Sequence, residues 1–255
     1  MIPLDPEEVH LWLASGDVLS DRAALEACRG WLTEAERARH QRYVFERNRD
    51  EFLATRALVR TTLSRYADVE PGAWVFRVNG YGRPEIAEPP LPLRFNLSNT
   101  EGLVACAVVR AQDGREIGVD VERAERRTDV ALIAEGFFAP FEVSALRALP
   151  RELQRERFFR YWTLKEAYIK ARGLGLAIPL AHFWFILDGV DSPKIAFDPR
   201  LEDDPATWQF MELRPGPGHH AALAVRRPPS PDLRVIVKPV DTLSAPCRSP
   251  PASSL

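Results

Sequence analysis

The stretch "REIGVDVER", Arg115 to Arg123, reads as a strand with two unlike faces. A side-chain period of two puts Ile117, Val119 and Val121 on one face and Gly118, Asp120 and Glu122 on the other. What surrounds this strand decides the fold class. Before it, "TEAERARHQRYVFERNRDEFLATRALVRTTLSRY" (33–66) carries apolar residues at helical spacing in its second half, with Thr33 a cap ahead of Glu34 and Glu36. Strand-like "AWVFRVNGYGRPEI" (73–86) and "LRFNLSNTEGLVACAVVR" (93–110) follow, broken by turns containing Asn-Gly, Pro or Gly.

After the stretch the same order recurs. Helical patterns cover "DVALIAEGFFAPFEVSALRAL" (129–149) and the run around Trp162; "AHFWFILDG" (181–189), "SPKIAFDP" (192–199), "TWQFMELRPGPGHHAALAVRR" (207–227) and "LRVIVKPVD" (233–241) then read as strands. Helices then strands, twice, with a seam near residues 112–115, predict an α+β protein. Its halves span 1–112 and 113–242 and pack side by side, with the cleft between them a natural place for a ligand. The Pro- and Ser-rich segment 243–255 is expected to be a disordered tail.

Of the 255 residues 45% are hydrophobic and 27% charged, with a net charge of -2, which excludes a dedicated nucleic-acid binder. The arginines between Arg37 and Arg65 nevertheless offer an anion a place to bind. With no signal-like N-terminus and no long apolar run, the sequence reads as soluble, without export. Cys28, Cys106 and Cys247, widely spaced and odd in number, make neither a disulfide framework nor a zinc site and fit the cytoplasm. His219 and His220 read as a turn residue and its neighbour, not as metal ligands.

Asp120 and Glu122 project side by side, an unfavourable pairing unless water or a cation separates them. Taken alone, the strand is simplest as a solvated edge. The run "FFRYWTLKEAYIKARGLGL" (158–176) adds a third carboxylate: it reads as an amphipathic helix with Trp162, Glu166 and Lys170 at i, i+4 and i+8. Packed on the strand, this helix would bring Glu166 toward Asp120 and Glu122, an oxygen-only set suited to magnesium with positions left for a diphosphate. Lys165 and Lys170 flank Glu166 as phosphate partners, although an i, i+4 ion pair with Glu166 is the default for Lys170.

With both motifs in hand, the sequence resembles the 4′-phosphopantetheinyl transferases of the surfactin-synthetase-activating type. Gly118–Glu122 and Trp162–Lys170 match that family's G-[IV]-D-[IVL]-E and W-[ST]-x-K-E-A-x-x-K patterns without a gap. "GYGRPEI" (80–86) is similar to its G-K-P segment with Arg83 in place of lysine, and "FNLSNTEGLVACAV" (95–108) to its F-N-x-S-H segment. The resemblance implies two pseudo-symmetric α+β halves with the active site between them. It implies transfer of the phosphopantetheine arm of coenzyme A to a serine hydroxyl of an apo acyl or peptidyl carrier protein, releasing adenosine 3′,5′-bisphosphate. Asp120, Glu122 and Glu166 would hold magnesium and Lys170 would lie near the diphosphate, with Glu166 the general base and Glu122 the runner-up. Arg39, Arg83, Asn96, Ser98 and Asn99, with Asp120, Glu166 and Lys170, would line the coenzyme A site. Arg49 and Arg56 stand between that role and a solvated face, as does Lys165 between a diphosphate contact and solvent.

One departure matters. The family histidine associated with the 3′-phosphate of coenzyme A is Asn99 here, which keeps a donor but loses the charge. Arg39 and Arg83 are candidates to compensate. Two other readings stay open: a different magnesium-dependent enzyme acting on a nucleotide diphosphate, and a carrier-binding module whose site has decayed. "EGFFAPFEVSAL" (135–146) is a candidate carrier-docking surface, with core packing as its alternative. A monomer is expected, because two halves in one chain complete the site.

Overall fold

Strand, helices, hairpin, two strands: the chain runs through this order twice and then returns to its beginning. The structure, a computed structural model, describes residues 1–112, 114–125, 129–189, 191–228 and 231–244, the side chain of Leu176 apart. The first pass is β1 (Glu8–Ser15), α1 (Arg22–Trp31), α2 (Glu34–Gln41), α3 (Glu46–Leu63), the hairpin β2 (Val75–Val78) and β3 (Pro84–Glu88), then β4 (Leu93–Thr100) and β5 (Leu103–Arg110). The second is β6 (Ile117–Arg123), α4 (Val130–Phe137), α5 (Pro140–Arg147), α6 (Arg151–Arg172), the hairpin β7 (Phe183–Ile186) and β8 (Lys194–Phe197), then β9 (Trp208–Leu213) and β10 (His219–Arg226). The α+β class follows directly.

The main sheets have strand orders β4-β5-β1-β11 and β6-β10-β9, where β11 is Arg234–Pro239. Alternation along each strand divides the interior into three layers. Val9, Leu11, Ala105 and Ala107 of the first sheet meet Ile117, Val119, Val121 and Leu223 of the second, so the sheets face each other across one apolar cluster. Their outer faces are covered by their own helices, the first with Leu25, Leu53 and Leu58 and the second with Phe158, Leu164 and Tyr168.

Two sequence expectations change and two are refined. The division at residue 242 assigns 234–239 to the second half, but β11 pairs in parallel with β1, Val9 opposite Val235, so the last strand closes the first sheet. The segment 243–255 does not begin as a tail: Leu243 is fully buried in the first core, and residues 245–255, Cys247 among them, lie outside the described residues. The helix over 33–66 is two helices. Thr33 caps α2 with the full capping box to Glu36, and the break at 42–45 is held by Arg49, whose guanidinium donates to the carbonyls of Tyr43 and Val44. The pattern over 129–149 likewise splits at Pro140, which opens α5 and forces the preceding Ala139 out of helical geometry. Among the described residues no helix is long and apolar enough to cross a membrane.

The seat of α6 is β6. A Cβ built on Gly118 would stand 2.0 Å from the carbonyl oxygen of Ala167 and 2.4 Å from the amide nitrogen of Ala171, so the helix backbone rests directly on the strand. Those atoms are backbone inside a packed helix and cannot swing away. Gly118→Ala is therefore expected to lower the unfolding free energy by about 3 kcal/mol, the upper part of the overpacking range. Urea denaturation checks it; a loss below about 0.5 kcal/mol, the size of a neutral surface change, would contradict the close approach.

Candidate active site

The polar face of β6 lies under α6, so the two motifs meet. Ser98, Asn99, Asp120, Glu122, Trp162, Glu166 and Lys170 line one cleft of about 300 Å³. A second, of about 280 Å³, shares Glu166 and Lys170 with it and is walled by Tyr81, Arg83 and Asn96. Both open where β4 runs beside β6. Two side chains of β4 satisfy the β6 backbone there: Asn96 Oδ1 accepts from Val119 N–H at 2.9 Å and Ser98 Oγ from Val121 N–H at 3.2 Å. The sheets are thus stitched by side chains at this edge.

Ser98 then holds the charges in place. Its hydroxyl donates to Asp120 Oδ1 at 3.0 Å and accepts from Lys170 Nζ at 2.8 Å, and Lys170 Nζ reaches the same Oδ1 at 2.7 Å. With one donor and two acceptor positions in use, Ser98 is fully satisfied. Lys170 therefore pairs with Asp120 on the strand, where the helical default is Glu166. Glu122 Oε1 accepts from the indole N–H of the half-buried Trp162 at 3.3 Å, a contact that the i, i+4, i+8 spacing did not reveal.

Three carboxylates against one ammonium leave the cleft short of positive charge. Burial raises Glu166 to about 7; the charges of Asp120 and Glu122 push the same way and Lys170 opposes them. Asp120, 4% exposed, keeps one oxygen, Oδ2, buried without a hydrogen-bond partner. Among the described residues no three His, Cys, Asp or Glu side chains are gathered closely enough to hold a metal ion as they stand. The donors nonetheless fit a hard divalent cation: all are carboxylate oxygens, one is unpartnered, and the field at Glu166 calls for a positive charge.

The remaining candidates separate. Arg83 walls the second cleft while donating to the carbonyl of Ala171 at 2.7 Å and to Glu85 at 2.9 Å. Asn79, in the sequence simply the Asn of an Asn-Gly turn, accepts from the amides of Tyr81 and Arg83 and donates to the carbonyl of Gly173, the left-handed residue that ends α6. The hairpin thus grips the helix that carries Glu166. Asn96 is spent on the β6 backbone. Asn99 donates to Glu51 Oε1 at 2.5 Å, so a carboxylate stands where the resemblance puts a phosphate contact.

Arg39 is exposed on α2 over the Phe52 ring and does not line the cleft. Arg49 holds the α2–α3 break, and Arg56 sits beside Glu36, whose main partner is the buried Arg60 at 2.7 Å. Neither takes a solvated face. Lys165 is neither at a diphosphate nor in solvent: it is fully buried and bonded to Glu142 at 2.7 Å. Within "EGFFAPFEVSAL", Phe138 and Leu146 are core residues whereas Phe137 and Phe141 are about half exposed. His219 donates from Nε2 to the carbonyl of Glu101 and His220 packs on Phe159; the two open β10, just past the turn on which the sequence reading placed the first of them.

A family model, that of the 4′-phosphopantetheinyl transferase superfamily, matches residues 116–225. The chain is 36% identical over 225 residues to the 4′-phosphopantetheinyl transferase HetI of a Nostoc species, covering 86% of this chain and 88% of that protein. It is 28% identical over 204 residues to the 4′-phosphopantetheinyl transferase Sfp of Bacillus subtilis, covering 79% and 85%. Among solved structures, the holo-[acyl-carrier-protein] synthase of Thermotoga maritima matches at 22% identity with a TM-score of 0.36, over 44% of this chain and 62% of that one.

Ser98→Ala removes the acceptor of a buried backbone N–H, that of Val121, and loosens Lys170. It is expected to lower the unfolding free energy by about 1–3 kcal/mol, the cost of an unsatisfied buried group. Urea denaturation measures this, and a wild-type value would show that Ser98 does not carry the β4–β6 junction.

Proposed function

The chain belongs to the 4′-phosphopantetheinyl transferase superfamily, and from that premise we propose that it moves the phosphopantetheine arm of coenzyme A onto a serine hydroxyl of an apo carrier protein, releasing adenosine 3′,5′-bisphosphate. The observation that carries this reading is the meeting of two distant motifs: Asp120 and Glu122 from β6, and Glu166 and Lys170 from α6, line one cleft. The transfer needs charge neutralised on the diphosphate, an in-line approach and a base for the hydroxyl proton.

Asp120, Glu122 and Glu166 would hold a magnesium ion, which when bound supplies positive charge to the phosphate oxygens. Lys170, tethered by Ser98 and Asp120, contributes its ammonium beside the diphosphate. Glu166, which shares the cleft with Asp120, Glu122 and Lys170, takes the serine proton at its carboxylate as general base for the incoming hydroxyl. Glu122, tied to Trp162, is the second choice for this role. Arg83, Ser98 and Asn99 line the space left for coenzyme A. The half-exposed Phe137 and Phe141 offer the carrier an apolar contact. Buried free thiols at Cys28 and Cys106 support a reducing, cytoplasmic setting, and both cleft walls come from one chain, which supports a monomer.

Incubation with coenzyme A, magnesium and an apo carrier protein is expected to add one phosphopantetheine mass to the carrier by mass spectrometry; no gain across acyl and peptidyl carriers would overturn the reading. Glu166→Gln is expected to lower kcat by about 100-fold or more, the size of a lost general base, while the melting curve is kept. Near-normal turnover would remove Glu166 from its role.

Asn99→His places an imidazole beside Glu51, whose carboxylate favours the charged ring. The expected outcome is a lower KM for coenzyme A with KM for dephospho-coenzyme A unchanged, since only the former carries the extra phosphate. Equal shifts for both donors would deny position 99 that contact.

A further inference from the structure

Lys165 is adjacent to Glu166 but points away from the cleft, into the core. Its ammonium is 0% exposed and has three donors, all in use: Glu142 Oε2 at 2.7 Å, the Leu180 carbonyl at 2.8 Å and the Phe183 carbonyl at 2.6 Å. Glu142, also 0% exposed, accepts in addition from the amides of Ala139 at 3.1 Å and Phe185 at 2.9 Å. The ammonium lies 4.3 Å from the centroid of the Phe183 ring. One ion pair therefore ties α6 to the first turn of α5, to β7 and to the turn before β7.

Such a pair is a poor source of stability. Desolvating two charges costs about as much as their attraction returns, and an apolar pair of similar volume often does as well. What the arrangement supplies is direction. Successive residues of an α-helix point about 100° apart, so a Lys165 fixed by three acceptors sets the rotation of α6 about its axis, and with it the bearing of Glu166 and of Lys170 one turn later. The Gly118 contact fixes how close α6 lies to β6 and the hairpin grips its C-terminal end; the three Lys165 contacts act from the core side, next to Glu166 itself.

We infer that Lys165 and Glu142 are positioning residues for the reaction, holding α6 in the rotation that turns Glu166 and Lys170 into the cleft. The inference rests on the proposed role of the carboxylates, and its test separates the two. Terbium, a hard oxygen-seeking cation, serves as the probe, its luminescence sensitised by Trp162 beside Glu122.

Three variants are titrated with terbium and assayed for transfer below their melting temperatures: Lys165→Met, Glu142→Gln, and Leu25→Ala, a cavity in the distant first core. Lys165→Met and Glu142→Gln are expected to weaken terbium binding at least tenfold and to lower kcat with little change in KM for coenzyme A. Leu25→Ala is expected to lose stability without either effect. Glu142→Gln is isosteric and keeps the test readable should Lys165→Met not fold. Terbium affinity and kcat within about twofold of wild type in both pair variants, or losses matched by Leu25→Ala, would overturn the inference. If the wild type transfers nothing, the functional reading fails while the terbium titrations still decide the positioning.

Discussion

The contact between α6 and the backbone of β6 at Gly118 governs the rest of the molecule. A side chain there would collide with the carbonyl of Ala167 and the amide of Ala171, so its absence sets how near a helix can come to a strand. At that distance Lys170 reaches across to Asp120 instead of back along its own helix to Glu166. The exchange is energetically sensible. A solvated i, i+4 pair is worth a few tenths of a kcal/mol, whereas a charge-assisted bond to a buried carboxylate is roughly twice as strong as a neutral one.

This packing concentrates like charges in a partly dry space. Asp120 is buried, Glu166 is pushed upward by burial and by its neighbours, and among the residues lining the cleft Lys170 is the one cation. A fold selected for stability alone would not keep three carboxylates around one ammonium, since each buried like-charge contact raises the cost of ionisation. The arrangement makes sense as a site short of a cation. The orphaned Oδ2 of Asp120 agrees with that, because native proteins rarely leave a buried acceptor unmatched.

Much of this was legible in the sequence, for reasons that can be named. Strict alternation over Ile117–Glu122 carries both the apolar face and the carboxylate face, because a strand has only two. The duplicated order of elements carries the fold class. Lys165 was not legible: helical spacing places it on the face turned toward the core, but a lysine there reads as solvent-seeking unless its partner is known, and Glu142 is 23 positions away. The arginines of α3 misled for a similar reason. Arg49 and Arg56 look like an anion-binding row in one dimension; in three, one satisfies loop carbonyls and the other shares Glu36 with Arg60. The strand β11 is legible as a strand, but its pairing and the burial of Leu243 are not, since what captures them is the edge of β1, more than 200 residues earlier, and the first core.

The duplication also explains why the carboxylates occupy one half only. In each pass the strand before the helices pairs antiparallel with the last strand, so β1 corresponds to β6 and β5 to β10. The second edge of β1 is taken by β11 through a regular parallel ladder. The second edge of β6 meets β4, a strand of the other sheet, through the side chains of Asn96 and Ser98. A ladder would hold the strands at hydrogen-bonding distance and close the seam; side-chain bridges satisfy the same amides while leaving a cleft. Trp12, on the helix-facing side of β1, fills its position with core, whereas Asp120 of β6 opens onto that cleft. A site for a charged ligand follows from a strand edge that the fold stitches through side chains instead of pairing.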